Sequence, residues 1–409
     1  PVASALPDTR ITYSAVIFQP ELETMPRPEL ERLQRERLRE RFGVDLDALP
    51  EQPFTTKSDL RDAYPFGLLR VPRDACIRIH ASSGTRGKAT IVAYTQSDIA
   101  LWADCCARAL AAAGAGPGSL VHIAYGYGLF TGGLGFHYGA ERLGCTVVPA
   151  SSGNTPRQVQ LLEDLGAEFL CCTPSYALTI ADHVEDTSRL QLRAGLFGAE
   201  PWTERIRGAI EEALNLCALD VYGLSEIVGP GVSAECLEGL GGAHVNEDHF
   251  LVETIDPETG APVPEGEVGE LVFSTLTKEA MPLLRYRTGD LASVTREPCA
   301  CGRTFARMSR VLGRTDDMLI IRGVNVFPSE IERVLLSVEG LAPHYQLVVE
   351  RRERLDELTV QVEGSVDEAP VREKLERALG LSARVEIVEP GSIPRSEGKA
   401  LRVLDRRSD

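Results

Sequence analysis

The sequence predicts an α/β protein with a large N-terminal domain and a small C-terminal one. The large domain should combine parallel or mixed sheets and flanking helices with an antiparallel β part; the small one should be α+β. Three observations carry this. From about residue 98, short apolar runs alternate with helical ones. After about residue 250, the runs are interrupted by turn residues instead. Near Asp316 a compact β/α pattern starts afresh, which divides the chain into 1–315 and 316–409.

The elements follow in order. "RPELERLQRERLRERF" (27–42) opens on Arg-Pro and has a charged helical pattern. "DIALWADCCARALAAAG" reads as a helix closed by glycine, "SLVHIAYG" as a buried strand, and "GGLGFHYGAERLG" as a helix. "CTVVPA", "EFLCCTP" and "AGLFGAE" are further strands, separated by the helical runs "PRQVQLLEDLG" and "YALTIADHVED" and followed by "TERIRGAIEEAL". Such alternation places a parallel sheet under helices, with ligands at the loops that follow strand C-terminal ends. "FLVETIDPETGAPVPEGEVGELVFSTL" is an antiparallel meander broken at "DPETG" and "PEGEVG". In the last part, "MLIIRGVNVF" holds two short strands before the helix "PSEIERVLLSVEG", and "HYQLVVER", "DELTVQVEG", "VREKLERALG" and "ARVEIVEPG" complete the unit.

Composition excludes several function classes. With 25% charged and 43% hydrophobic residues the chain can bury a large core. A formal charge of −17 argues against sequence-independent nucleic-acid binding, which needs cationic surface. No apolar run is long enough to span a membrane, and the first residues lack a basic stretch followed by an apolar one. Ten cysteines, including the adjacent pairs Cys105–Cys106 and Cys171–Cys172, suit buried thiols in a reducing cytoplasm better than a disulfide framework.

Five segments carry chemistry. "ASSGTRGKAT" (81–90) has glycines that can turn backbone N–H groups toward an anion, hydroxyl donors, and Lys88. Its spacing is not that of the common NTPase phosphate loop, and alone it would be an ordinary surface turn. "YGLSE" (222–226) offers an aromatic face and a carboxylate. "YRTGD" (286–290) ends in a carboxylate able to grip a ribose diol. "GRTDD" (313–317) brings Arg314 to the domain boundary, and "PRSEGKALRV" (394–403) brings Lys399. Each has a bland reading as turn, cap or solvated lysine; their joint occurrence in this order is far more specific.

That ordered set resembles the adenylate-forming superfamily of acyl-CoA synthetases. More narrowly, "YGYGLFTGGLGFHYGAERLG", "LCCTPSYAL", "GLFGAEPW" and "LSEIVGPGV" are similar to phenylacetate–CoA ligases, from about residue 52 to the end. The resemblance implies a C-terminal domain that is mobile and rotates between two half-reactions. It implies that Ser82, Ser83, Gly84, Thr85, Gly87 and Lys88 cradle the β- and γ-phosphates of ATP. Gly198, Ala199, Glu200 and Tyr222 would form the adenine slot, with Tyr222 stacked on the base. Ser225 and Glu226 would lie by the α-phosphate and Mg²⁺. Asp290 would accept from the ribose, Arg314 would contact nucleotide, and Asp316 would be the hinge. Lys399 would reach the substrate carboxylate and α-phosphate during adenylation, and with Glu226 it forms the expected catalytic pair.

The resemblance places Tyr125 and Phe130 against an aryl group and makes Gly229, Pro230 and Gly231 another wall, leaving room for substrate. Tyr127 is balanced between pocket and core; His137 and His249 are structural rather than basic, since an ionised carboxylate needs no base. Cys299 and Cys301, with Cys236 and His244, form a Cys₃His set suited to a structural zinc. The chain departs from the family's common pattern at Arg86 and Ala89, and it is short around 37–46 and 186–190. The expected reaction joins a carboxylic acid to CoA with ATP, releasing AMP and pyrophosphate, in a homodimer. A carrier-protein thiol or an amine remains an alternative acceptor, and a nucleotide-binding zinc protein without turnover is a third reading.

Overall fold

The computed structural model describes residues 16–82, 89–317, 319–322, 324–352, 355–396 and 401–407. Two helices, α1 (Pro20–Glu23) and α2 (Arg27–Phe42), precede α3 (Lys57–Asp62), which starts at a capping box between Thr56 and Asp59. A two-stranded ribbon, β1 (Arg78–Ala81) and β2 (Ile91–Tyr94), leads into α4 (Gln96–Ala112). A second capping box, Thr95 with Asp98, starts α4.

The parallel half follows as expected: β3 (Leu120–Ile123), α5 (Gly132–Leu143), β4 (Thr146–Val148), α6 (Thr155–Leu165), β5 (Phe169–Cys172), α7 (Pro174–Ala181), β6 (Ala194–Gly198), α8 (Glu204–Leu214) and β7 (Cys217–Leu224). Four parallel pairings order the strands 4-3-5-6-7. Small residues let α4 and α5 approach closely. A Cβ on Gly139 would stand 2.4 Å from the Cys106 Cβ, and one on Gly135 would stand 2.7 Å from the Trp102 ring.

The antiparallel part begins earlier than the change of sequence texture suggests. β8 (Gly229–Ala234) already pairs antiparallel with β7, and β9 (Ala243–Val245) pairs with β8. "GPGVSA" lies outside the elements read from sequence, yet it forms a strand buried along nearly its whole length. β10 (Phe250–Ile255), β11 (Val268–Thr275), β12 (Tyr286–Thr295), β13 (Arg307–Met308) and β14 (Gly313–Arg314) complete one 12-stranded sheet.

Beyond Asp316, β15 (Leu319–Ile321) and β16 (Val324–Val326) form a hairpin ahead of α9 (Pro328–Leu335). β17 (Leu341–Arg352), β18 (Leu355–Gly364), α10 (Glu368–Leu379) and β19 (Arg384–Val388) follow. A last strand that the sequence does not announce, β20 (Val403–Asp405), lies parallel to β17. Leu319, Ile331, Leu347, Val360 and Leu375 pack in an apolar cluster of their own. Leu336 is different: it is buried among Tyr176, Phe197, Trp202 and Ile210, residues of α7, β6 and α8 and the segment between them. No described helix is long and apolar enough to cross a membrane.

Candidate active site

A cavity of about 500 Å³ opens at the C-terminal ends of β6 and β7, closed on one side by residues around 310–317 and by Leu401. The turn after β6, where the resemblance would seat adenine, lines this cavity. A Cβ on Gly198 would lie 2.0 Å from the Val221 carbonyl oxygen, so only glycine lets the two strands pass. Ala199 follows with φ of 72°, a left-handed conformation that non-glycine residues adopt at a cost. Glu200 is held by the Ser175 backbone N–H at 2.7 Å.

Tyr222, on β7, lines the cavity and packs against Phe273 with its ring planes 26° apart. Its hydroxyl donates to Asp290 Oδ2 at 2.8 Å. Asp290 is also paired with Arg314, and the same guanidinium donates to Asp316 through Nε at 2.8 Å and Nη2 at 3.1 Å. The proposed ribose acceptor and hinge residue therefore share one arginine.

The turn between β7 and β8 presents Ser225 and Glu226. Tyr94 donates to the carbonyls of Ser225 and Val228, both at 3.3 Å, and the buried Lys278 donates to the Glu226 carbonyl at 3.0 Å and to that of Ile227. Burial lowers the Lys278 ammonium to about 8. Glu226 is itself buried, yet among the described residues its Oε1 accepts no hydrogen bond; Lys57 Nζ stands 3.4 Å away. Ser82, at the cavity wall, likewise has a buried hydroxyl without a partner among the described residues. Unpartnered buried polar atoms facing one space are what an absent polar ligand would satisfy.

Tyr125 and Phe130 supply an aromatic wall to the same cavity, which Thr131, Gly132 and Pro230 also line. Tyr125 stacks on Phe136, and a Cβ on Gly132 would stand 2.4 Å from the Phe130 ring. Gly229 and Gly231 are not brought to this wall. A Cβ on Gly229 would stand 2.6 Å from Trp102, and one on Gly231 would stand 3.2 Å from the Cys105 backbone; their φ values are 106° and 93°. Close packing and left-handed backbone, rather than room for substrate, explain these two glycines. Tyr127 bonds to His137 at 3.2 Å, and His249 is buried beside Thr277 and Asp248. Ser83, Gly84, Thr85, Gly87, Lys88 and Lys399 lie outside the described residues.

Sequence reasoning missed Lys57, Asp220 and Lys278. The cap signal in "TTKSD" marks a helix start but not a cavity, and Asp220 shows only as one polar residue in an apolar strand. Burial and then the nearby Glu235 raise the Asp220 carboxyl to about 7, against the Trp202 N–H that donates to it at 3.0 Å.

A separate corner gathers Cys236, His244, Cys299 and Cys301, whose ligand atoms lie within 4.8 Å of one another. Separations are 3.6 Å for Cys236 Sγ to His244 Nε2, 3.6 Å for Cys236 to Cys299, and 3.4 Å for Cys301 to His244. Bonds of about 2.0–2.3 Å to a tetrahedral ion give edges of about 3.4–3.8 Å. A Cβ on Gly239 would stand 2.6 Å from Cys299 Sγ, so glycine leaves the thiolates room to converge.

Comparison with known proteins agrees with this layout. Residues 12–277 match the model for the AMP-binding enzyme family, and residues 323–407 match that for the AMP-binding enzyme C-terminal domain. The chain belongs to the AMP-binding enzymes. The phenylacetate-coenzyme A ligase of Thermus thermophilus is 51% identical to this family member, over 96% of this chain and 100% of its own length. That alignment runs over 444 positions, more than the 409 residues here, so the relative has residues this AMP-binding enzyme lacks. Among solved structures, 2-hydroxyisobutyryl-CoA ligase in the postadenylation state with R3-HIB-AMP is 29% identical and superposes with a TM-score of 0.85, over 99% of this chain and 94% of that one. The same ligase with CoA in the thioesterification state, 30% identical over 95% and 92% of the two chains, gives 0.68. This AMP-binding enzyme is an AMP-forming acid–thiol ligase that works through an acyl adenylate.

Proposed function

We propose that the acid is an aryl or arylacetic acid such as phenylacetate, and that CoA is the acceptor. The observation that carries this is one cavity lined both by the polar Glu226, Asp290 and Lys57 and by the aromatic Tyr125 and Phe130. A volume of about 500 Å³ falls in the range of small-molecule sites. The substrate carboxylate oxygen attacks the α-phosphorus of ATP and pyrophosphate leaves. The CoA sulfur then attacks the acyl carbonyl, AMP leaves, and the thiol proton passes to solvent.

Tyr222 would stack on adenine and Asp290 would accept from the ribose hydroxyls, displacing part of its bond to Arg314. Glu226 would hold Mg²⁺, an oxygen-seeking ion that offsets phosphate charge. Its unpartnered Oε1 fits that role. Lys57 adds a cation beside Glu226, where it would face the phosphates. Loop 82–88 would cradle the pyrophosphate, and Lys399 would bring carboxylate and α-phosphate together. Residues from 316 on would form the domain that rotates between the steps, with Asp316 as hinge. Zinc at the Cys₃His corner would be structural, tying the 236–244 segment to the turn at 299–301.

Acid-dependent pyrophosphate release, followed by mass detection of the thioester, tests the reading. Phenylacetate with ATP, Mg²⁺ and CoA should give phenylacetyl-CoA faster than straight-chain acids give their thioesters. Failure to form acyl-CoA across aryl and arylacetic acids would overturn it.

A further inference from the structure

The large and small domains meet through polar contacts concentrated on one short segment. Arg395 Nε donates to Asp182 Oδ2 at 3.1 Å; Asp182 caps the C-terminus of α7. His344 Nε2 stands 3.8 Å from the same oxygen. Three residues before Asp182, the Thr179 hydroxyl lies 3.3 Å from the Ser396 carbonyl and 3.1 Å from the Ser175 carbonyl of its own helix, and its one proton is shared between them. Arg395 is anchored in its own domain by Glu363, through Nη1 at 2.8 Å and Nη2 at 2.9 Å; Glu363 is fully buried and also accepts from the Ile393 N–H. One arginine is thus fixed from behind and offers its remaining edge to Asp182. Residues 395 and 396 come just before Lys399 in the chain.

We propose that Asp182 is a positioning residue for the first half-reaction: its pairing with Arg395 holds the small domain in the adenylation arrangement and is released for thioester formation. This rests on the two-step reading above. Superposition on the postadenylation relative is better than on its thioesterification form, and a 3.1 Å contact across the interface does not survive a rotation of one domain. Asp182 is 45% exposed at its side chain, so the pair is too weak to lock the domain. A weak contact present in one of two arrangements close in energy still biases their ratio by its whole strength. Leu336 and the Arg205 bonds to the carbonyls of Val338 and Leu341 supply a seat without charge selectivity.

The test separates the half-reactions in the full-length protein. Asp182→Asn should slow pyrophosphate release at saturating ATP and acid by roughly five-fold, the upper range for a partly exposed ion pair. Thioester formation from preformed acyl adenylate and CoA should be unchanged or faster. Asp182→Glu should recover most of the adenylation rate, and Thr179→Val should show the same split more weakly. Equal loss in both steps, or parent rates in both, overturns the proposal. A parent protein that forms no adenylate with any acid overturns the acid–CoA reading instead, and this inference with it.

Discussion

Two buried charge clusters sit in the same large domain and are built in opposite ways. In one, Asp248 accepts from Arg108 at 2.7 and 2.9 Å, Arg108 also bonds Asn246 and Gln19, and His249 lies 3.3 Å away. In the other, Glu226 has Lys278 beneath its backbone and Lys57 at 3.4 Å, but its Oε1 accepts no hydrogen bond. Both carboxylates are nearly inaccessible. The first cluster is closed on itself; the second leaves a carboxylate oxygen without a hydrogen bond among the described residues, on a side chain that lines the cavity. Among the described residues the two clusters differ in the saturation of their hydrogen bonds rather than in burial.

The largest effect should come from breaking the unsaturated cluster. Glu226→Gln keeps the shape and removes the charge, so pyrophosphate release should fall by about a hundredfold or more while the melting temperature stays within a few degrees. Lys399→Ala should behave alike, abolishing adenylate formation while ATP still binds. Parent-like adenylation by either variant would remove that residue from the mechanism.

The converse change is Arg108→Met. It leaves a buried carboxylate unpaired and should lower stability by about 3–5 kcal/mol in urea unfolding. The kcat and KM of the folded fraction should stay within about two-fold, the width expected of a change remote from the chemistry. Burial pushes the Asp248 carboxyl up, but His249 and the bonds from Arg108 outweigh it and hold it well below the ordinary range. Its stabilising contribution is therefore full above about pH 4 and is lost as pH falls through the depressed native value. The variant should lose that part of the acid unfolding transition. A large change in kcat without a loss of stability would break the contrast between the clusters.

How much of this is legible in sequence follows from the same contrast. Strand–helix alternation shows because each strand is a short apolar run and each helix carries a start or stop signal. β8 hides because Gly229, Pro230 and Gly231 are of types depleted in strands, and β20 because three residues in a charged tail show no periodicity. Motif residues such as Tyr222, Glu226 and Asp290, which line one cavity, are found because each sits in a short run that a family resemblance can match. Lys57, Asp220 and Lys278 are not, because their roles come from packing across long separations: Lys278 grips a carbonyl fifty-two positions away. Gly229 and Gly231 were visible as special, but sequence does not say whether a missing side chain makes room for substrate or for Trp102.

The Cys₃His corner extends the comparison to a group that a metal would complete. His244 Nδ1 is buried without a partner, while Nε2 faces the thiols. Hydrogen bonding from Cys236, helped by His244, keeps the Cys301 thiol below its ordinary range despite burial. Elemental analysis should find close to one zinc per chain in protein purified without chelator. Cys299→Ser should reduce metal content and lower the melting temperature by several degrees. Adenylation by the metal-depleted but folded protein should remain within about three-fold, because the corner is outside the cavity lining. Less than about half a zinc per chain would count against the site.

The smallest effect belongs to Asp220, which stands between the two kinds of cluster. Its backbone N–H donates to Glu235, and its carboxyl accepts from Trp202 while facing the cavity. With the carboxyl raised to about 7, the native state binds more protons than the unfolded chain between about pH 4 and pH 7. Stability should therefore fall as pH rises through that window, the opposite slope to that from Asp248. Asp220→Asn cannot titrate. Its melting temperature should be flatter over the window, and relative to the parent it should gain at pH 8, by a few degrees at most. If ATP meets the same carboxyl, the parent's KM for ATP should change across pH 7 by about three-fold while the variant's stays level. A flat melting profile in the parent would mean that Asp220 is ionised throughout, placing it with the saturated acids.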